Sequence, residues 1–155
     1  MLQEGDAAPE FALPDANGEI RKLSDHKGHF RVVYFYPKDD TPGCTKEAQS
    51  FTELAAEFGA LKAEVFGISP DTVKSHGKFR DKYGLHITLL ADEEKAAIQA
   101  YGVWVEKKMY GKAYMGVERS TFLIGPDGKI AKAWKGVKVP GHAAAVLDAL
   151  KKHQA

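Results

Sequence analysis

The stretch Val32-Val33-Tyr34-Phe35-Tyr36-Pro37-Lys38-Asp39-Asp40-Thr41-Pro42-Gly43-Cys44 decides how the rest of the chain is read. Its first five residues are β-branched or aromatic without a polar break, the pattern of a strand covered on both faces and therefore central in its sheet. The next seven are rich in turn residues, and Cys44 opens a helical pattern. Ala48, Phe51, Leu54, Ala55 and Phe58 recur at steps of three and four, which predicts one helix over 44–58, ended by Gly59. A cysteine at a helix start feels the positive end of the helix dipole and unpaired backbone N–H groups, which favour thiolate over thiol. The plainer alternative is an inert core cysteine. Pro42, Gly43 and Thr45 form a turn and a helix entry rather than an apolar face, so an activated sulfur is expected.

Before this stretch, apolar residues at 11–13 and 20–23 flank Asn17-Gly18, a hairpin signal. After it, 65–68 reads as a second buried strand. Ser69-Pro70-Asp71 starts a helix running to about residue 83, closed by Gly84. A short strand over 88–90, a short helix over 93–101 stopped by Gly102, and a loop over 103–116 follow. Residues 119–124 and 129–134 alternate around Pro126-Asp127-Gly128 as an antiparallel hairpin, and 142–152 forms a last amphipathic helix. The expected class is α/β, with a mixed central sheet, helices on both faces and an N-terminal β-hairpin, in the order of the thioredoxin-like fold. No repeat or linker divides the chain, so one domain over 1–155 is expected.

Lys and Arg number 22 against 21 Asp and Glu, and a net charge of +1 argues against nucleic acid as the main partner. The start Met-Leu-Gln-Glu-Gly-Asp has no basic or apolar signal segment, and no run approaches membrane-spanning length. A cytoplasmic protein without membrane association is expected. One cysteine cannot form an internal disulfide.

Several chemistries use a thiolate at a helix start, and the neighbouring residues separate them. Dithiol exchange needs a second nearby cysteine, but Thr45, Lys46 and Glu47 follow Cys44. A cysteine hydrolase needs a histidine base; His26, His29, His76, His86, His142 and His153 lie in no partner motif and read as solvated surface groups. The same scatter, without C-x-x-C or H-x-x-x-H spacing, predicts no metal. Peroxide reduction asks only for a thiolate, donors for the peroxide oxygens and shelter from water. Thr41 can set its hydroxyl beside the sulfur, its plainer role being a helix N-cap; Pro37 and Pro42 fix φ and lack N–H donors, shaping and drying the loop.

Pro37, Thr41 and Cys44 are spaced as P-x-x-x-T-x-x-C, and this stretch resembles the peroxiredoxin signature. The Tyr-Phe-Tyr-Pro-Lys run ahead of it and the Thr-Pro-Gly-Cys-Thr within it look like the bacterioferritin comigratory protein, or peroxiredoxin Q, subfamily. The likeness extends from Gly5-Asp6-Ala7-Ala8-Pro9-Glu10-Phe11 to Glu118-Arg119-Ser120-Thr121-Phe122-Leu123-Ile124. It implies a thiol peroxidase without cofactor, acting on hydrogen peroxide and alkyl hydroperoxides through a sulfenic acid at Cys44. It also implies that Arg119, at the start of a late strand, sits against the sulfur, where a guanidinium favours the thiolate and donates to the substrate oxygen. Many relatives place a resolving cysteine five residues after the reactive one, others in the next helix; here those sites hold Gln49 and Arg80. The resemblance therefore implies a one-cysteine cycle with an external thiol, be it thioredoxin, glutaredoxin with glutathione, or a small dithiol. A peroxide sensor or chaperone-like protein that forms mixed disulfides is the alternative. Relatives of this kind are monomers or weak homodimers. Trp104, Met109, Tyr110, Tyr114 and Met115, among Lys107, Lys108 and Lys112, read as a partly apolar loop near the site that admits organic hydroperoxides rather than as a stacking surface for nucleic acid.

Overall fold

The computed structural model describes residues 2–154. In chain order the elements are β1 (Ala12–Pro14), β2 (Ile20–Lys22), a 3₁₀ turn (Leu23–His26), β3 (Arg31–Phe35), α1 (Pro42–Glu53), α2 (Ala55–Ala60), β4 (Glu64–Ser69), α3 (Val73–Tyr83), β5 (Thr88–Ala91), α4 (Ala96–Ala100), β6 (Trp104–Met109), β7 (Lys112–Val117), β8 (Ser120–Ile124), β9 (Ile130–Lys135) and α5 (His142–Gln154). The main sheet runs β5-β4-β3-β8-β9, so the strand read first in the sequence is its middle one. β3 pairs in parallel with β4 and antiparallel with β8, which makes the sheet mixed.

Every residue of β3 is buried, and its alternation supplies both cores. Val32, Tyr34 and Tyr36 face α1, α3 and α5 through Phe51, Phe79 and Val146. Val33 and Phe35 face the other way, toward Ile98 and Tyr101 around α4 and toward Phe11 and Leu13 of the N-terminal hairpin. Helices thus cover both faces, unequally, because the hairpin fills most of the second layer. The hairpin turn is held by Asp15, whose Oδ1 accepts from the Asn17 and Glu19 amides at 2.9 and 3.0 Å. Among the described residues no helix is long and apolar enough to cross a membrane.

Two elements differ from expectation. The helix expected over 44–58 starts earlier, at Pro42, and breaks at Leu54, where φ −98° and ψ 4° separate α1 from α2. The apolar positions stay in phase across the break, so periodicity does not register it. The segment expected as a loop over 103–116 is the β6–β7 hairpin, turned at Tyr110-Gly111 with φ of 52° and 77°. Most of its side chains are exposed, so it carries no inside–outside alternation from which to read a strand.

One close approach ties the sheet to the helix that carries Cys44. The Tyr34 ring stacks on Phe51 of α1 at 4.7 Å between centroids. The tip of the same ring lies over Gly67 of β4, where a Cβ would sit 2.7 Å from it. Gly67→Ala is expected to cost about 1–3 kcal/mol by overpacking, seen as a lower urea midpoint. Tyr34→Phe, which removes a buried hydroxyl without a partner among the described residues, is expected to be neutral or stabilising by about 1 kcal/mol in the same titration.

Candidate active site

The loop after β3 delivers Cys44 as the third residue of α1, with Pro42 at the first helical position. Thr41 is the N-cap by backbone, extended at φ −101° and ψ 155°, and its carbonyl accepts from the Thr45 amide at 2.8 Å. Its hydroxyl does not take the plainer role of capping the helix; it turns back and donates to the Lys38 carbonyl at 2.8 Å. That leaves the hydroxyl lone pairs uncommitted. Pro37 is half-buried in the bend that leads from β3 into the loop.

Cys44 is only 2 % exposed and shares a core with Tyr34, Ala48 and Phe51, as an inert cysteine would. What sets it apart is charge. Arg119, just ahead of β8, reaches across so that Nη2 donates to Sγ at 3.4 Å while Nη1 donates to Glu47 Oε1 at 2.7 Å. Gly43 makes the crossing possible, since a Cβ there would lie 3.2 Å from Nη2. Cys44 and Arg119 therefore meet, and Thr41 stands at the head of the same helix.

A carboxylate on a helix is ordinarily solvated, yet Glu47 is 1 % exposed. Standing three residues after Cys44, it shares that residue's helix face. Burial pushes its carboxyl up to about 7 against the pull of Arg119. Its Oε2 has no partner among the described residues.

The loop is pinned to α3 by groups that periodicity could not pair. Asp39 accepts from Tyr36 Oη at 2.6 Å and Ser75 Oγ at 2.8 Å, and lies 2.7 Å from His76 Nδ1. Asp40, at φ 57°, accepts from Lys82 Nζ at 2.9 Å and from Tyr83 Oη. Two histidines expected at the surface are buried instead, because polar partners await them inside. His76 is fully buried between Asp39 and the Leu90 carbonyl. His142 lies 2.8 Å from Thr121 Oγ1, its pKa lowered to about 4 by burial and then by Arg119. Asp39, Asp71 and His76 bring metal-ligand atoms within 4.8 Å of one another. Those of Asp39 and Asp71 already take hydrogen bonds from Ser75, Ser69 and the Asp39 amide.

The AhpC/TSA family pattern matches residues 4–133. Peroxiredoxin Bcp of Bacillus subtilis is 48% identical over 150 residues, covering 97% of this chain and 96% of its own. The chain is a peroxiredoxin of the AhpC/TSA family. The structure of Xanthomonas campestris bacterioferritin comigratory protein, described with trapped intermediate and ligand complexes of alkyl peroxide reduction, superimposes with a TM-score of 0.91 at 45% identity, covering 97% of this chain and 100% of that one. Two further structures of the Xanthomonas protein, there called peroxiredoxin Q, replace one cysteine or another by serine, at positions separated by the same interval as Cys44 and Arg80 here. This peroxiredoxin, a thiol peroxidase, has one cysteine.

The Glu47 carboxyl gives the site a pH signature. The folded chain holds its proton up to about pH 7, whereas the unfolded chain loses it at the ordinary value of 4.5. The folded state binds the extra proton between these values, so this contribution to stability is full below pH 4.5 and is lost as pH rises to 7. Glu47→Gln is expected to gain about 2–3 kcal/mol over the wild type between pH 5 and pH 8 in urea unfolding. An offset that does not change with pH would mean that the buried carboxyl is ionised throughout.

Proposed function

We propose that this peroxiredoxin reduces hydrogen peroxide and alkyl hydroperoxides at Cys44 in a one-cysteine cycle. The observation that carries the reading is the guanidinium of Arg119 held between Glu47 and the Cys44 sulfur, 3.4 Å from Sγ. Sγ, as thiolate, attacks the terminal peroxide oxygen. An S–O bond forms, the O–O bond breaks, and the leaving oxygen takes a proton to depart as water or alcohol. Arg119 stands where negative charge develops on the oxygens, and its own charge needs no reorientation during the step. Thr41 spends its proton on the Lys38 carbonyl and therefore acts as an acceptor for the peroxide O–H. Pro37 shapes the approach to the sulfur, and burial of Cys44 keeps bulk water from the reacting atoms.

The product is a sulfenic acid with no second thiol in the chain to meet it. Gln49 is exposed on α1, and Arg80 is bound to Asn17 and Asp81. An external thiol must attack the sulfenic sulfur, giving a mixed disulfide and water, and a second thiol then restores Cys44. A reducing compartment such as the cytoplasm supplies such thiols. Thioredoxin, glutaredoxin with glutathione, and small dithiols all have the required chemistry.

Stopped-flow mixing of the reduced protein with equimolar hydrogen peroxide is the test. Thiol loss is expected to be far faster than for free cysteine, with one dimedone adduct at Cys44, and slower by about 100-fold or more in Arg119→Ala. A rate equal to that of free cysteine would sink the peroxidase assignment of Cys44. Fast oxidation followed by a stable mixed disulfide that no thiol turns over would instead favour a sensor.

A further inference from the structure

The β6–β7 hairpin projects beside the site with a cation on its inner face. In its register Val105, Lys107 and Met109 share a face with Lys112, Tyr114 and Gly116, while Lys108 lies on the other. Gly116 clears the path of the Lys107 stem: a Cβ there would lie 3.2 Å from Cδ and 3.4 Å from Cε. The stem thus leans from its own position toward the base of the arm, where Glu118 and Arg119 follow β7. Lys107 is half-buried and joins no ion pair among the described residues. Burial and then Arg119 lower its pKa, while Cys44 and Glu118 act in the opposite sense. The stem over Gly116, three residues before Arg119, and these couplings put the ammonium on the side of the arm that faces the site. Arg119 is committed to Glu47 and Cys44. Lys107 is the nearby cation left uncommitted among the described residues.

We propose that Lys107 is a subsite for the carboxylate of a small anionic thiol, the class of reductant that attacks the Cys44 sulfenic acid. This rests on the one-cysteine cycle above. The thiolate sulfur attacks the sulfenic sulfur; the S–S bond forms as the S–O bond breaks, and the departing hydroxide takes the proton released by the thiol to leave as water. Nothing else is oxidised or reduced in that step. A carboxylate two or three bonds from the attacking sulfur meets the ammonium while the sulfur meets Cys44. A neutral thiol gains nothing from Lys107, and a cationic one is repelled by both Lys107 and Arg119.

The test oxidises the protein with one equivalent of hydrogen peroxide and follows sulfenic acid decay with 3-mercaptopropionate, 2-mercaptoethanol and cysteamine, each rate divided by the thiolate concentration. The wild type is expected to favour mercaptopropionate over mercaptoethanol by about fivefold at low salt, with cysteamine slowest. Lys107→Glu is expected to reverse that order, and Lys107→Met to reduce the preference to what Arg119 alone supplies. Lys108→Glu, the same charge change on the opposite face, is expected to keep the wild-type order. An order unchanged by Lys107→Glu, with the sulfenic acid formed normally, overturns the subsite alone. Absence of a dimedone adduct after peroxide overturns the cycle beneath it, and the subsite with it.

Discussion

A positive charge has been carried into the protein at Arg119, and the site depends on what receives it. A guanidinium taken out of water must find anionic or strongly accepting partners, or the cost of desolvation is not offset. Here the partners are a carboxylate at 1 % exposure and a sulfur at 2 %. Neither partner is comfortable alone. Glu47 without Arg119 is an acid in an apolar wall, and Arg119 without Glu47 is free to swing away from Cys44. The three residues come from two elements distant in sequence, α1 and the lead-in to β8, and β3 is joined to both, by the loop that opens α1 and by antiparallel pairing with β8. The central strand is therefore what holds the charge and the sulfur in register.

The same logic extends outward through the loop after β3. Backbone at Asp40 adopts a left-handed conformation that few residues accept without support. Support comes from α3, through Lys82, Tyr83, Ser75 and His76, and from the Asp71 carboxylate that accepts from the Asp39 amide. α3 thus acts as a buttress for a loop that belongs to another helix. The helix is itself well terminated, by the Thr72 hydroxyl at its start and by Gly84 at φ 60° at its end. In the Xanthomonas relative, the interval between its two substituted cysteines leads from Cys44 to Arg80 of this same helix. Here Arg80 instead bonds to the turn of the N-terminal hairpin through Asn17.

What could be read from the residues divides along burial. Val32 to Tyr36, the turn at Asn17-Gly18 and the stops at Gly84 and Gly102 were legible because their hydrophobic pattern or backbone demand is local. Cys44 was legible because the spaced signature ends on it, and Arg119 only through the likeness that runs on to residues 118–124. Glu47 and His76 were not, since a charged or titratable residue on a helix is ordinarily solvated, and only tertiary packing supplies its buried partner. Gly43 and Gly67 read as a turn residue and a strand residue; their real task is to let Arg119 and Tyr34 come close, and the incoming side chain lies 76 and 33 positions away in the chain. The β6–β7 hairpin escaped for the opposite reason, having too little inside to leave a pattern.

That hairpin pairs only with itself, in a two-stranded sheet separate from the five-stranded one. An isolated pair of strands is marginally stable in water, so its amides exchange with solvent through local opening, while those of β3 wait for the whole molecule to unfold. The protein therefore contains two layers of persistence. Arg119 and Glu47 are tied to the five-stranded sheet and α1; Lys107 rides on an arm whose strands share backbone bonds with no other strand. A cation carried on such an arm depends for its place on the arm's own pairing, whereas the charge at Arg119 shares the fate of the whole fold.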